Sequence, residues 1–203
     1  SRLVGSEMCI RDRPNKHFVT YHVSGGKNLN CVCLVEKEGW INESWSEKGD
    51  IDELKKAYKG WNKTIQTLLE HADPNTLYKW ALHDRPPMKQ WSKGRVVVLG
   101  DAAHPMLPFL AQGAAMAIED GAVLANCIDN FEEVGEAISH FEKVRKPRTS
   151  YVQSAARRNA KVLHFSGCAA ILRNLVMGYV GNKIFNKLYS YDALSIASKN
   201  HNK

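Results

Sequence analysis

The sequence lacks the cysteine spacing and the long apolar runs that mark several classes of protein. Its five cysteines are an odd number and show no Cys-x-x-Cys spacing, which argues against a disulfide framework and against a zinc site. The apolar stretch nearest the C-terminus, residues 168–180, contains Arg173 and Asn174 and is too short to span a bilayer. These absences predict a reduced, cytoplasmic protein without a metal and without a membrane span.

The chain also has no dense tract of one charge. Its net charge of +7 is spread along 203 residues, and no basic patch with interleaved aromatic residues is present. A composition of 44% hydrophobic and 24% charged residues is typical of a globular protein. The spread charge therefore suits small anionic ligands at least as well as nucleic acid, and without a basic patch we expect no nucleic-acid partner.

The glycine pattern excludes one common nucleotide-binding turn. None of the 14 glycines is separated from another by a single residue, so the chain contains no Gly-x-Gly-x-x-Gly. That turn seats the pyrophosphate of a dinucleotide on a helix N-terminus in Rossmann-like folds. A dinucleotide bound by this chain would need the turn from elsewhere.

Two runs rich in β-branched and aromatic residues predict a β-hairpin near the start of the chain. They are "HFVTYHV" and "LNCVCLVE", joined by a loop with two glycines. Because strand residues alternate between faces, His17 and Tyr21 share one face and lie about 13 Å apart.

Helix and strand signals follow the hairpin. Asp50 and Asn62 are predicted N-caps of two short helices, and residues 78–85 are predicted to form a strand that ends at a proline pair. By contrast, residues 1–13, "SRLVGSEMCIRDR", show no periodicity and are similar to translated adapter sequence. We interpret them as a non-native leader.

An apolar run followed by a Gly-Asp pair is the most informative feature. Val96–Leu99 shows no alternation, which predicts a strand that is buried on both faces of a parallel sheet. In such sheets ligands bind outside the carboxyl ends of the strands, where Gly100 permits close approach and Asp101 offers a carboxylate to sugar or ribityl hydroxyls. The next helix is predicted to start near Gly113 and Ala114, where unpaired amides and the helix dipole favour a negative charge.

The stretch from residue 94 to residue 125, "GRVVVLGDAAHPMLPFLAQGAAMAIEDGAVLA", resembles the second flavin-binding motif of the flavin-dependent aromatic hydroxylases, the group-A FAD monooxygenases. The resemblance extends from about His17 to "LYSYDA" near the end of the chain and is close to salicylate hydroxylase-like members. It implies FAD as the cofactor and NAD(P)H as the co-substrate.

The resemblance also implies roles for residues of the motif. Asp101, next to Gly100, matches the aspartate that holds the flavin ribityl chain. Gly113 and Ala114 match the helix start that meets the pyrimidine end of the isoalloxazine ring. Pro108 matches a position in the loop beside the ring, where some relatives have a polar residue.

Residues outside the motif receive weaker predictions. His17 and Tyr21 match positions that line the substrate cavity of the family, with His17 as a candidate base or hydrogen-bond partner for a phenol. A histidine that only satisfies a neighbouring group remains an alternative for His17. Inside the motif, we expect His104 to be a hydrogen bonder that orders its loop. Outside it, we expect Arg145 and Arg148 to lie on a solvated face.

The predicted fold is mixed α/β. It comprises the C-terminal part of a Rossmann-like FAD-binding domain, a substrate domain built on a β-sheet and C-terminal helices, without the unit that carries Gly-x-Gly-x-x-Gly. The predicted boundaries are 1–13 for the leader, 14–92 for part of the substrate domain, 93–150 for the second half of the FAD-binding domain and 151–203 for the C-terminal helical segment.

The sequence thus predicts part of an FAD-dependent monooxygenase that hydroxylates a phenolic carboxylate with NAD(P)H and O2. Two alternatives stay open at this point. One is epoxidation or hydroxylation of an isoprenoid with the same cofactor, and the other is a non-catalytic flavin-binding protein. The oligomeric state is also open, with a homodimer as one option.

Overall fold

The computed structural model of the protein describes residues 9–36, 44 and 46–195. The chain forms two compact units, Ser1–Leu82 and His83–Lys203. Each unit has its own cluster of buried apolar side chains. None of the helices in the described part of the chain combines the length and the apolar character that crossing a membrane requires.

A three-stranded antiparallel sheet forms the first part of the first unit. The strands, in the spatial order β1-β2-β3, are β1 (Cys9–Arg13), β2 (Lys16–Val23) and β3 (Asn28–Val35). A short 3-10 turn at Ser24–Gly26 joins β2 to β3, and both of its glycines have positive φ angles. The predicted hairpin is therefore confirmed.

Strand β1 lies within the segment that we interpret as a leader. Its five residues pair with β2, from Cys9 opposite Thr20 to Arg13 opposite Lys16. Residues 1–8 of the same segment lie outside the described residues. The origin of the segment, like the predicted domain boundaries, stays a prediction.

Two short helices follow the sheet, and both begin at the predicted caps. The side chain of Asp50 accepts two backbone amides of the first turn of α1 (Ile51–Ala57). The side chain of Asn62 accepts one amide at the start of α2 (Lys63–Glu70). Gly60, with a φ of +77°, turns the chain between the two helices.

The helices pack on the face of the sheet that carries Phe18. The Phe18 ring meets Tyr58 edge-on, with the ring centroids 5.7 Å apart. The Tyr58 hydroxyl lies 2.9 Å from the backbone oxygens of His17 and Leu34, so it connects α1 to both strands of the hairpin. The buried residues of this cluster are Phe18, Tyr58, Trp61, Ile65 and Leu69.

The strand predicted over residues 78–85 is wrong. Only Tyr78 takes part in β pairing there, through an isolated bridge to Lys48. Trp80 and Leu82 are 46% and 44% exposed, so the apolar side chains of the segment do not pack on a sheet face. Apart from that bridge, residues 78–85 pair with no strand among the described residues, and composition alone did not reveal that.

The second unit is a β-hairpin followed by three long helices. The hairpin consists of β4 (Ser92–Lys93) and β5 (Val96–Val97). The helices are α3 (Gly113–Asn130), α4 (Val134–Leu163) and α5 (Gly167–Tyr189).

A carboxylate on α4 attaches this hairpin to the helices. Glu142 accepts the backbone amides of Trp91 and Ser92 at 3.0 and 3.1 Å, and the Ser92 hydroxyl at 2.6 Å. The indole of Trp91 then enters the main core of the unit. The buried residues of that core are Trp91, Ala103, Val123, Cys127, Ala137, Phe141 and Val144.

The strand predicted at Val96–Leu99 is shorter and more exposed than expected. Only Val96 and Val97 are paired, and Val96 is 70% exposed. Within the described residues β5 pairs with β4 alone, so no parallel neighbour covers it. The expectation of burial on both faces is therefore wrong for this structure.

Candidate functional site

The Gly-Asp pair lies in a tight 3-10 turn, Gly100–Ala102, which begins three residues after the last residue of β5. Gly100 has a φ of +57°, a conformation that strains any residue with a side chain. Its carbonyl oxygen accepts the backbone amides of Ala103 and His104, both at 2.9 Å, which closes the turn. Asp101, inside this turn, is exposed. The turn therefore presents the Asp101 carboxylate to solvent from a fixed backbone.

Helix α3 begins without a side-chain cap. The first amide bonded within the helix is that of Met116, which donates to the Gln112 carbonyl at 2.9 Å. The amides of Gly113, Ala114 and Ala115 precede that bond, and the Gln112 side chain makes no capping hydrogen bond. The helix start is the predicted one, and it offers donors and the positive end of the helix dipole to an acceptor.

Side chains of α4 hold the loop between the turn and α3. The Gln153 amide donates to the Pro105 carbonyl at 2.8 Å, and the Asn159 amide donates to the Phe109 carbonyl at 2.7 Å. Pro108 begins a 3-10 turn in this loop and is exposed. The two amides fix the loop at both sides of Pro108.

A buried carboxylate on α3 connects the turn to α4. Asp120 is fully buried, and one of its oxygens accepts the Gly100 amide at 2.9 Å and lies 2.6 Å from Nε2 of His104. Its other oxygen accepts Nε of Arg145 at 2.7 Å. His104 thus orders its loop by hydrogen bonding, as predicted.

The expectation of a solvated face for Arg145 and Arg148 is wrong. Arg145 is fully buried and Arg148 is 7% exposed. Glu119 accepts hydrogen bonds from both guanidinium groups, at 2.7 Å from Arg145 and 3.2 Å from Arg148. Arg148 also donates to the Leu188 carbonyl at 2.7 Å. An Arg on a helix of mixed polarity is usually exposed, and here two acidic neighbours make burial possible.

A signal for this network is present in the sequence. Glu119 and Asp120 are adjacent in the apolar first part of this helix, and two arginines stand three residues apart on the following helix. Residues three apart on a helix share a face, so the arginines can meet an acidic pair together. The pattern gives a candidate pairing, but it does not say which residue also reaches Gly100.

The pKa of Asp120 is set by competing effects. Burial by itself raises the pKa, but hydrogen bonds from His104, Gly100 and Arg145, with the Arg145 charge, bring it below the ordinary value. Burial likewise opposes the charge of Arg145, whereas Asp120 and Glu119 raise its pKa. Both groups are therefore charged at neutral pH.

This shift predicts a pH dependence of stability. The folded-state pKa of Asp120 lies below its ordinary value of 3.8, so its contribution to stability is complete above that value and is lost as the pH falls through the folded pKa. The difference in unfolding free energy between the wild type and Asp120→Asn should therefore be largest at pH 7 and shrink below about pH 4. Urea denaturation at pH 7, 5, 4 and 3 measures it, and a constant difference would contradict the assignment.

The predicted substrate-facing residues belong to the first unit. His17 is 4% exposed, and its backbone oxygen accepts the Tyr58 hydroxyl. Tyr21 is half-buried, and its phenol oxygen accepts the Asn30 side-chain amide at 2.8 Å. Their side chains leave the sheet on the face opposite Phe18, as the strand alternation predicts. The motif residues belong to the second unit.

Comparison with known proteins places the chain among flavoproteins. A family model described as an FAD binding domain matches residues 9–155. The chain is 43% identical over 152 residues to the 6-hydroxynicotinate 3-monooxygenase of Pseudomonas fluorescens. The matched region covers 71% of this chain and 38% of that relative. It is also 34% identical over 163 residues to the 3-hydroxybenzoate 6-hydroxylase of Polaromonas naphthalenivorans. That match covers 79% of this chain and 40% of the relative.

A solved structure shows the same fold. A salicylate hydroxylase in complex with its substrate is 27% identical, with a TM-score of 0.75 over 94% of this chain and 48% of that structure. The predicted mixed α/β fold is thereby confirmed. The chain spans about two fifths of the length of the two relatives named above.

Proposed function

Since the chain belongs to the FAD binding domain family that includes the flavin-dependent aromatic hydroxylases, we propose that it is part of an FAD-dependent monooxygenase. Its substrate is a hydroxylated aromatic carboxylate, and it consumes NAD(P)H and O2. The observation that carries the proposal is the Gly100–Asp101 turn, which is followed by the uncapped start of α3.

The residues of the second unit fit an FAD molecule. The exposed Asp101 carboxylate is suited to accept hydrogen bonds from ribityl hydroxyls, and the free amides of Gly113 and Ala114 are suited to donate to the pyrimidine carbonyl edge. At Gly100 a Cβ would lie 3.4 Å from the Ala117 side chain, so the turn lies against α3, and its φ of +57° favours glycine there. A bound FAD would supply the redox chemistry, namely acceptance of a hydride from NAD(P)H and transfer of one oxygen atom of O2 to the substrate ring.

The substrate class is inferred from the named relatives. Those relatives act on 6-hydroxynicotinate and on 3-hydroxybenzoate, by their names, and both compounds are aromatic carboxylates with a hydroxyl group. No feature of the described residues favours an isoprenoid substrate or a purely flavin-binding role. The enzyme is proposed to act in the cytoplasm, where the free cysteines of the described residues stay reduced. Its proposed oligomeric state is a homodimer.

His17 and Tyr21 are proposed to face the substrate from β2. Their shared face is opposite the Phe18 cluster. By the resemblance to the family, the two positions correspond to its substrate-lining strand. Histidine nitrogen can hold or remove the phenol proton at neutral pH, which makes the ring electron-rich before hydroxylation. Tyr21, four residues away, is proposed to orient the same substrate rather than to exchange protons with it.

Loss of the His17 imidazole should uncouple the reaction. In a hybrid enzyme, in which this chain replaces the region that it matches in the Pseudomonas fluorescens relative, His17→Ala is expected to lower the yield of hydroxylated product per NAD(P)H by about tenfold or more, since general acid-base groups contribute about 10²–10⁴ in rate. FAD content should stay near that of the wild type. Product yield is measured by chromatography, with Tyr21→Phe as a second variant and His22→Ala, at an exposed position on the other face, as the control. Unchanged yield in both cavity variants would remove them from the substrate site.

A hybrid enzyme tests the proposed function as a whole. In it this chain takes the place of the region that it matches in the Pseudomonas fluorescens relative. The hybrid is expected to be yellow and to consume NAD(P)H in the presence of an aromatic hydroxy acid, whereas the chain alone should not retain FAD through gel filtration, because it has no Gly-x-Gly-x-x-Gly turn. A folded hybrid without flavin would contradict the proposal, and a lone chain that is yellow and active would contradict the expected need for that turn.

A further inference from the structure

One carboxylate organises the backbone around the proposed ribityl-binding residue. Asp120 accepts from three donors, namely the Gly100 amide, His104 and Arg145, at distances of 2.6 to 2.9 Å. All three distances are in the range of strong hydrogen bonds to a charged acceptor. With Gly100, His104, Arg145 and Asp120 all buried, water does not compete for these bonds.

Two of those donors lie at the two ends of the turn that carries Asp101. The Gly100 amide precedes Asp101 by one residue, and the His104 ring follows it by three. Both meet the same oxygen of Asp120. The segment between them is also closed by the two amides that donate to the Gly100 carbonyl. The direction in which Asp101 points is therefore tied to Asp120.

Asp120 also ties that turn to the start of α3. It lies seven residues after Gly113 on the same helix, about 10 Å along the axis. The turn and the helix start, which are proposed to hold the ribityl chain and the pyrimidine edge, are thus held at a fixed separation. A ligand that spans both elements would bind without the loss of conformational entropy that ordering them would cost.

The adjacent Glu119 is a natural comparison, because it forms ion pairs with α4 but none of its described contacts holds the turn. Glu119 pairs with Arg145 and Arg148, as Asp120 pairs with Arg145, but it has no hydrogen bond to the turn among those described. Both acids hold α3 to α4. Only Asp120 combines that contact with bonds to Gly100 and His104.

We propose that Asp120 is a positioning residue for the flavin, which fixes the Gly100–His104 turn so that Asp101 meets the ribityl hydroxyls. The inference rests on the proposed function, because it concerns the same FAD molecule. Asp120 itself does not touch the cofactor. Its effect on FAD passes through the backbone of the turn.

The substitution Asp120→Asn removes the bond between Asp120 and the turn while it keeps the bond to Arg145. One oxygen of the side-chain amide can still accept from Arg145, while the NH2 group replaces the oxygen that faces the turn. His104 can adapt, because in its other tautomer Nε2 accepts a hydrogen bond from the NH2 group. The Gly100 amide is only a donor and cannot adapt. Asp120→Asn therefore leaves Gly100 without its acceptor.

The test compares Asp120→Asn with Glu119→Gln in the hybrid enzyme. The dissociation constant of FAD is measured by flavin fluorescence after each apoprotein has been shown by near-UV circular dichroism to be folded. We expect Asp120→Asn to raise the constant by about tenfold or more, as for loss of a charge-assisted hydrogen bond. Glu119→Gln should change it by less than about threefold, although both variants lower the melting temperature.

Two further readouts keep the test decisive. In the flavin-free hybrid enzyme, the Gly100 amide of Asp120→Asn should exchange with deuterium about tenfold faster than that of the wild type. The amide of the buried Val123 in α3 should show no such change. If Asp120→Asn does not fold, His104→Leu, which keeps the Arg145 pair, should still raise the FAD constant by about threefold.

The outcomes distinguish the inference from the proposed function. Equal FAD affinity in Asp120→Asn and Glu119→Gln, with flavin bound to the wild-type hybrid, would overturn the inference and leave the proposed function standing. The same holds for an unchanged constant in His104→Leu where Asp120→Asn does not fold, and for unchanged exchange at Gly100. A folded wild-type hybrid that binds no FAD would contradict the proposed function and, with it, this inference.

Discussion

Replacing Arg145 with alanine is expected to lower the free energy of unfolding of the second unit by about 3–5 kcal/mol. The guanidinium is fully buried and is bonded to Asp120 and Glu119, both at 2.7 Å. Without it, Asp120 keeps a charge in the core and loses its arginine partner. Breaking one partner of a buried pair costs more than the pair itself contributes, because the remaining charge stays desolvated.

Lys143→Ala is the matched control for this prediction. Lys143 lies on the same helix, α4, and is exposed, so its loss should change the free energy of unfolding by less than about 0.5 kcal/mol. Urea unfolding followed by circular dichroism gives both values. An Arg145→Ala loss as small as that of Lys143→Ala would mean that the buried network does not stabilise the unit.

Replacing Asp101 with alanine is expected to weaken FAD binding by the hybrid enzyme by about 1.5–3 kcal/mol, or about ten- to 150-fold in the dissociation constant. The exposed carboxylate is proposed to accept charge-assisted hydrogen bonds from ribityl hydroxyls, and alanine offers none. Thermal stability of the flavin-free protein should change little, since Asp101 is not part of the buried network.

Asp129→Ala, at an exposed acid near the end of α3, controls for the change in net charge. It removes the same charge from the same unit and should leave the FAD constant within about twofold. Equilibrium dialysis against FAD measures both variants. Equal constants for Asp101→Ala and the wild type would remove Asp101 from the flavin site.

The sequence predicted the elements that depend on residues close together along the chain. The caps at Asp50 and Asn62 begin helices because a carboxylate or amide oxygen satisfies amides within three residues of it. The hairpin formed because its loop contains glycines that adopt positive φ. The start of α3 at Gly113 also follows from local pattern. These interactions need no knowledge of distant parts of the chain.

Features that depend on distant partners were not predictable in the same way. Arg145 is buried because Asp120, 25 residues earlier, meets it, and periodicity shows which face a residue occupies but not which partner faces it. The 78–85 segment has the composition of a strand but only one bridging residue, because pairing depends on another strand being beside it. Val96 is apolar and exposed for the same reason. Family resemblance supplied the identity of the cofactor, which no local pattern gives.

The most direct test of the flavin assignment is hydrogen exchange of the hybrid enzyme with and without FAD. The amides of Gly113, Ala114 and Ala115 have no acceptor within α3 and should exchange rapidly in the flavin-free protein. Bound FAD is predicted to slow exchange by about tenfold or more at these amides and at the Gly100–Ala102 turn. Bound flavin with unchanged exchange at both places would contradict the claim that this turn and this helix start hold the cofactor.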